Sequence, residues 1–387
     1  MPKLTDFSAS HFSAAVAAFL VSYGSSAVII YQAALAFGAS PSQTVSWFTA
    51  LPLVCGVLTL GLSLRYKAPV MIAWCTPGAA VLAGLGGIGL NDAVTGFMAA
   101  AAAMWLVSAL GCFDRLVRMI PAQLAAAMLA GILIHFGSRV FAAMSSQTAL
   151  VGVMLAVFFL TKIRLARYSI LLMLAAGVGY AAWAGLIDQT LLVWRNPVLE
   201  WVGPGLHFGH TVSVAVPLFI ASLATQNVPG MAVLRGYGYQ IPARPLVENS
   251  AAATLLAAPF GAFMVNLAAI SSAICMGSDV DKNPERRYLA TLLLGVVYLL
   301  AAAAGGITVA MFAALPAELT ASLAGIAVFG TLQANLAAAW QCEHSREAAL
   351  VTLLASASGM TLWGISSAFW GLVLGLAVYY LNLKTAK

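Results

Sequence analysis

The chain has 387 residues, of which 62% are hydrophobic and only 8% charged, with a formal net charge of +6. Soluble domains carry roughly 25% charged residues, so a water-solvated globular fold is excluded. The basic residues are spread over many short segments and do not form the single face that nucleic acid requires. What remains is a protein of the bilayer, long enough for roughly 12 to 14 spanning segments at about 20 apolar residues each.

Apolar runs broken by charge, Pro and Gly predict a first span at 12–37, too long and too poor in cleavage signals for a removable signal peptide. It carries Tyr23, Ser25, Ser26 and Gln32; Tyr23 offers a flat face to a ligand, while the small residues serve equally as packing notches. A second span covers 42–64. The third, 69–87, reads Trp74-Cys75-Thr76-Pro77-Gly78, and a Thr before a Pro is a helix start. The β-branched and aromatic residues ahead of it favour extended backbone, so a helix is expected to begin partway through the membrane with its amides facing a protein-lined cavity. That arrangement suits an anion. The alternative is a Pro-kinked continuous helix.

Further spans are predicted at 93–113, 119–143, 147–161 and 168–187, followed by a polar connection from Asp188 to Phe208 whose Trp194 and Trp201 suit a membrane interface. The eighth span, 210–234, places Gln226 and Asn227 together in apolar sequence, where unpaired amides cost several kcal/mol. They are expected to line a cavity, or to bond neighbouring helices. The ninth span is 244–260. The tenth, 262–277, contains Phe263, Asn266, Leu267 and Ala268 and is the expected counterpart of the third, with Asn266, Ser271 or Ser272 as its cap. The last four fall at 286–306, 314–340, 346–362 and 366–383.

Two echoes tie the halves together. Pro121-Ala122-Gln123-Leu124 running to Gly131-Ile132 recurs as Pro316-Ala317-Glu318-Leu319 running to Gly325-Ile326, and Phe19 to Ser22 aligns with Phe219 to Ser222. A repeat offset near half the chain holds about seven spans, and an odd unit inverts its second copy. With both ends cytoplasmic, only Arg139 and Arg195 of the 18 Lys and Arg fall outside, as positive-inside insertion demands. The five cysteines, Cys55, Cys75, Cys112, Cys275 and Cys342, lack metal-ligand spacing and read as small buried residues. Dispersed histidines and the lack of a nucleophile with a nearby base argue against an enzyme.

Taken together, Tyr23-Gly24-Ser25-Ser26-Ala27, the Trp74-Cys75-Thr76-Pro77-Gly78 block, Gln226-Asn227-Val228-Pro229-Gly230, Pro259-Phe260-Gly261 and Ser367-Ala368-Phe369-Trp370-Gly371 resemble the bacterial benzoate:proton symporter (BenE-type) family. The resemblance covers nearly the whole chain. It implies the fold of the uracil:proton symporters: an all-α integral membrane protein of 14 segments in a 7+7 inverted repeat, with spans 3 and 10 broken into a short extended piece and a half-helix. It implies a core domain from 1–117 and 210–309, a gate domain from 118–190 and 310–387, and an external connection at 191–209. Related folds often dimerise through the gate, which leaves a homodimer of this chain open; no cofactor or metal is expected.

Where the uracil carriers use acidic residues on the eighth and tenth spans, this chain has Gln226, Asn227 and Asn266, a change suited to an anionic substrate. The expected site comprises Tyr23, Ser25, Ser26, Gln32, Trp74, Thr76, Pro77, Gly78, Gln226, Asn227, Phe263, Asn266, Leu267 and Ala268. The expected activity is uptake of benzoate or a related aromatic carboxylate by proton symport across the bacterial inner membrane; a passive anion channel, or a carrier of a planar ligand such as a nucleobase, are the alternatives. Inward movement of a lone anion against a negative-inside potential costs about 2.3 kcal/mol per 100 mV. The substrate or a titrating group must therefore bring a proton, the group candidates being His135, Glu248 and Glu318.

Overall fold

The computed structural model describes residues 6–111, 121–165, 168–268 and 271–385. Two helices open the chain, α1 (Ala9–Ala36) and α2 (Pro41–Tyr66), each started by a reciprocal capping box, Ser8 with His11 and Ser40 with Gln43. A three-residue strand β1 (Ile72–Trp74) then runs into the nine-residue helix α3 (Thr76–Gly84), and α4 (Leu90–Ala109) follows. Helices α5 (Ala122–Ser146), α6 (Thr148–Leu165) and α7 (Ser169–Trp183) complete the first half.

The second half begins with α8 (Phe208–Gly236), one rod interrupted by a π-helical turn at Leu223–Asn227. It continues through α9 (Ala243–Ala257), β2 (Val265–Leu267), a 3₁₀ turn (Ser271–Cys275) and α10 (Tyr288–Ala303). Short helices α11 (Gly305–Ala314), α12 (Ala317–Ala327) and α13 (Phe329–Ala339) precede α14 (Arg346–Ala357) and α15 (Ser367–Thr385). Between α14 and α15 lies a small hairpin, β3 (Thr361–Leu362) and β4 (Ile365–Ser366). Both Pro-Ala-x-Leu echoes fold alike: Pro121 and Pro316 are the caps of α5 and α12, with ψ of 129° and 143°.

Among the described residues eight helical stretches are long and apolar enough to cross a membrane, α10 counting from Pro284 and α12 with α13 counting as the single stretch Ala317–Ala339, and Ser169–Trp183, Gly305–Ala314 and Ser367–Asn382 are shorter apolar helices. Side chains such as Leu160, Ile163 and Leu300, each well over half exposed, line the outer faces, a surface made for hydrocarbon. Helices group by contact. In one group α2 packs along α10, α4 along α8 and α9, and α1 along α3 and α10; in the other, α5 packs against α12, α13 and α14, and α14 against α15. The groups meet where α1 touches α12 and where α3 touches α5.

The structural centre is an antiparallel pairing of β1 with β2, registered Ile72 to Leu267, Ala73 to Asn266 and Trp74 to Val265. Cys75 N–H donates to Met264 O at 2.9 Å and Ala268 N–H to Met71 O at 3.0 Å, extending the pair at both ends. Two strands present outer edges that hydrocarbon cannot satisfy. Here side chains satisfy them: the Thr59 hydroxyl of α2 serves Ile72 N–H at 3.0 Å, the Thr254 hydroxyl of α9 serves Val265 N–H at 3.1 Å, and Asn227 Oδ1 of α8 serves Leu267 N–H at 3.2 Å. Gly261 turns the chain into β2 at φ +90°, where a Cβ would lie 1.8 Å from the Trp47 indole, so only glycine is accommodated.

Two sequence expectations need correction. The cap of α3 is Cys75, not Thr76: its Sγ accepts the Gly78 N–H at 3.3 Å, leaving Thr76 and Pro77 as the first helical residues. Asn266 begins no helix either. It sits inside β2, and the described residues beyond the strand form a 3₁₀ turn from Ser271. A strand pair holds Asn266 because its opposite number, Ala73, is small and its side chain finds Ser222.

Candidate substrate site

A cavity of about 450 Å³ lies between the two helix groups, within the range of small-molecule sites. On one side it is lined by Val21 and Ser22 of α1, Ala73 and Trp74 of β1, Thr76 and Pro77 of α3, Thr225 and Gln226 of α8, and Ala268 and Ser271 beyond β2. The opposite wall is the α13 face bearing Gly330, Thr331, Ala334, Asn335 and Ala338, with Ala327 at its head. No lining residue carries a charge.

The first turn of α3 opens onto this space, and among the described residues the Thr76 N–H donates to no backbone carbonyl. A free first-turn amide, the Thr76 hydroxyl and the positive end of the helix dipole together favour an anion there. Gln226 adds a half-buried amide that makes no hydrogen bond among the described residues. Neighbours on a helix point about 100° apart, so Gln226 and the next residue face different sides. Gln226 faces the cavity, while Asn227 is 1% exposed and points into the packed side of α8.

Trp74 is held by its partners. Its Nε1–H donates to Ser26 Oγ at 2.7 Å, and Ser26 in turn donates to the Ser22 carbonyl. The indole packs edge-on against Tyr23 at 5.7 Å and Tyr298 at 5.6 Å. Ser222 Oγ is a second hub, accepting Nδ2 of Asn266 at 3.0 Å and Nδ2 of Asn227 at 3.4 Å.

Of the residues singled out from sequence, Trp74, Thr76, Pro77, Gln226 and Ala268 line the cavity. The others stand behind it. Tyr23 stacks on Phe19 at 4.9 Å and donates to Thr308 Oγ1 at 3.3 Å; Gln32 donates to Thr320 Oγ1 at 3.2 Å, tying α1 to α12. Phe263 packs on Trp47, and Gly78, Asn227, Asn266 and Leu267 are buried in the support of the strand pair. The side chains of Ser25 and His135, and the whole of Cys112, lie outside the described residues. Glu248 is paired with Arg244 at 2.7 Å, and Glu318 accepts from Ser146 at 3.2 Å.

Sequence reading missed the α13 wall. Its signal was Thr331 and Asn335 four residues apart in an apolar run, which places both on one helix face. Two other readings are amended. Cys342 is exposed, unlike Cys55, Cys75 and Cys275. The histidines are not all dispersed, since His210 stacks on His207 at 3.8 Å and lies 2.7 Å from Asp92.

Comparison with known proteins gives the family and the fold. The family described as BenE, benzoate membrane transport protein, matches residues 5–381. The inner membrane protein YdcO of Escherichia coli (strain K12) is 42% identical over 368 residues, 95% of this chain and 94% of that one. The benzoate membrane transport protein of Acinetobacter baylyi (strain ATCC 33305 / BD413 / ADP1) is 37% identical over 380 residues, 98% of this chain and 96% of that one. Among solved structures, SLC26A9 superposes with a TM-score of 0.65 at 13% identity over 99% of this chain and 66% of that one. The transmembrane domain of the cyanobacterial bicarbonate transporter BicA gives 0.59 at 13% identity, covering 96% of this chain and 97% of that one. At such identities the likeness concerns the fold alone.

Proposed function

We propose, from the premise that this chain belongs to the benzoate membrane transport protein family, that it is a secondary active transporter taking up benzoate or a closely related aromatic carboxylate with a proton. It works in the bacterial inner membrane with both termini cytoplasmic. Its architecture is fourteen segments in a 7+7 inverted repeat, α1–α4 with α8–α10 forming the core and α5–α7 with α12–α15 the gate. One observation carries the reading: a charge-free cavity onto which the start of α3, the Thr76 hydroxyl and the Gln226 amide converge. Donors without a competing carboxylate bind a carboxylate ion. The substrate ring lies against Trp74, and the α13 face with Thr331 and Asn335 closes over it.

The cavity is walled on the gate side by α13, the cytoplasmic half of its span, while α12 is held to α1 by the Gln32–Thr320 bond. This supports an inward-facing state. Transport then moves the core against the gate, parting α1 from α12 and closing α13. That closure on one side speaks against a passive channel, which needs a continuous path. The decisive experiment is uptake of labelled benzoate into proteoliposomes: accumulation driven by an inward proton gradient and abolished by a protonophore is expected, whereas flux indifferent to the gradient refutes symport. Counterflow against a panel of aromatic acids and nucleobases tests the substrate class.

A further inference from the structure

The two helix groups also meet at the start of α8. His207 is the cap of that helix, its Nδ1 accepting the His210 N–H at 3.2 Å. The two imidazoles stack 3.8 Å apart, tilted by 26°, and His210 Nδ1 lies 2.7 Å from Oδ2 of Asp92 in the first turn of α4. The β3–β4 hairpin, carried between α14 and α15, closes on the same turn. A Cβ on Gly209 would lie 2.8 Å from the Gly364 carbonyl oxygen, and one on Gly364 would lie 3.5 Å from Cε1 of His207. Ser366 N–H donates to Ser213 Oγ at 2.7 Å, and the Ser366 hydroxyl donates to Ser213 O at 3.4 Å. The charge asymmetry of the chain puts this hairpin outside, since α14 starts at Arg346 and α15 runs to Lys384.

A ring nitrogen that accepts an amide N–H carries no proton, so this cap exists only while His207 is neutral. Protonation aims a second N–H at the His210 amide and sets a positive charge at the positive end of the helix dipole, stacked on a ring whose counter-charge is Asp92. The loss falls on the very turn that Gly364 and Ser366 grip. His207 is exposed, so water delivers the proton directly. Of the elements around this turn, α4 brings Asp92 alone, α3 and the hairpin bring no ionisable group, and α15 brings none before Tyr379. Beyond His210, α8 has none before Arg235; the connection brings Glu200, whose N–H is bound by Ser46 of α2, and α5, which also touches α8, brings His135 and Arg139. At the start of α1, the counterpart of α8, the layout recurs with one difference: His11 lies 3.2 Å from Asp281, but the cap is Ser8, whose hydroxyl accepts an amide at any pH.

We propose that His207 is an external proton-binding site whose protonation releases the β3–β4 hairpin from α8 and so unlocks the outer face. The sign follows from the cap: the contact holds at high external pH and is lost as external pH falls. Its consequence for transport rests on the reading given above, in which benzoate and a proton enter together from outside. Acid on that side then opens the face that must admit them. In the inward-facing state the hairpin contact adds to the α1–α12 contact in keeping the outside shut.

The test labels S366C, in a background without Cys112 and Cys342, with a membrane-impermeant maleimide added outside right-side-out vesicles. Ser366 is buried in the contact, and its backbone N–H, which the substitution keeps, makes the 2.7 Å bond. Variants at His207 are compared at one pH at a time, which cancels the titration of the thiol itself. At about pH 5.5 the protein with His207 should label about fivefold faster than H207N, whose side chain caps without titrating, and at about pH 7.5 the two should match. H207K, a fixed charge that cannot accept the amide, should label fast at both. Equal rates for all three at both pH values refute the latch. Melting curves establish folding, and H207S, the kind of cap that α1 uses, replaces an H207N protein that does not fold. Counterflow of labelled benzoate in the same vesicles, with equal pH on both sides, separates the two proposals. Counterflow with labelling indifferent to His207 leaves the interior site standing and removes the latch; labelling that follows His207 without benzoate counterflow keeps the latch and removes the transport reading.

Discussion

Gln226 and Asn227 are chain neighbours, yet their replacement by alanine should give opposite signatures. Asn227→Ala removes the acceptor of the Leu267 N–H at 3.2 Å and one of the two amide donors to Ser222. A buried donor left unpaired costs about 1–3 kcal/mol, which for a chain of this length lowers the melting temperature of the detergent-purified protein by roughly 1–4 °C. Gln226→Ala deletes a cavity-lining amide that supports nothing else, so melting without ligand should not move. Its loss falls on the anion instead: a hydrogen bond to a charged group contributes about 1.5–3 kcal/mol, or roughly 10- to 150-fold in affinity. Intrinsic tryptophan fluorescence during heating, with and without benzoate, reads both effects, because ligand stabilisation scales with the ratio of concentration to Kd. An Asn227→Ala protein that melts as wild type but no longer responds to benzoate refutes the assignment, as does a Gln226→Ala protein that melts early.

Three further outcomes follow from the same geometry. Gly78→Ala brings a methyl within 2.6 Å of Leu218 Cδ1 and 2.9 Å of the capping Cys75 Sγ; overpacking of this kind costs about 1–3 kcal/mol, and adding Leu218→Ala should restore melting but not benzoate affinity. Trp74→Phe keeps a ring and removes the 2.7 Å bond to Ser26; a loss of about 1 kcal/mol of positioning should raise KM for benzoate roughly fivefold, and an unchanged KM would show that the indole is not held for the substrate. Cysteines placed at Gln32 and Thr320, whose side chains now bond at 3.2 Å, should on oxidation stop uptake reversibly in a background without Cys112 and Cys342; continued uptake after full crosslinking would exclude separation of α1 from α12 as a transport step.

What the sequence could reveal depended on how local the cause was. Thr76-Pro77 announces a helix beginning in the membrane because both signals act within one turn, and the structure departs from that reading by one residue, the thiol of Cys75 serving as the cap. Asn266 misled because an asparagine caps helices and also tolerates a strand; only the register against Ala73 and the reach to Ser222, both long-range, decide between them. That Gln226 and Asn227 part company follows from their being helix neighbours about 100° apart; which of them meets the cavity is decided by long-range packing, Asn227 reaching Leu267 and Ser222. The α13 wall was overlooked because Thr331 and Asn335 are sparse in a span dominated by alanine and leucine. The internal echo, by contrast, was local: its two prolines cap α5 and α12.

The pairing of β1 with β2 constrains how any ligand can be released. Jaws that part would have to break main-chain bonds in hydrocarbon, with Thr59, Thr254 and Asn227 losing their amides at the same moment. The cradle therefore travels closed, keeping one set of donors for loading and unloading alike. Directionality would then come from what the moving cradle meets on either face of the membrane and, under the symport proposed above, from the accompanying proton, since its own grip does not change on the way.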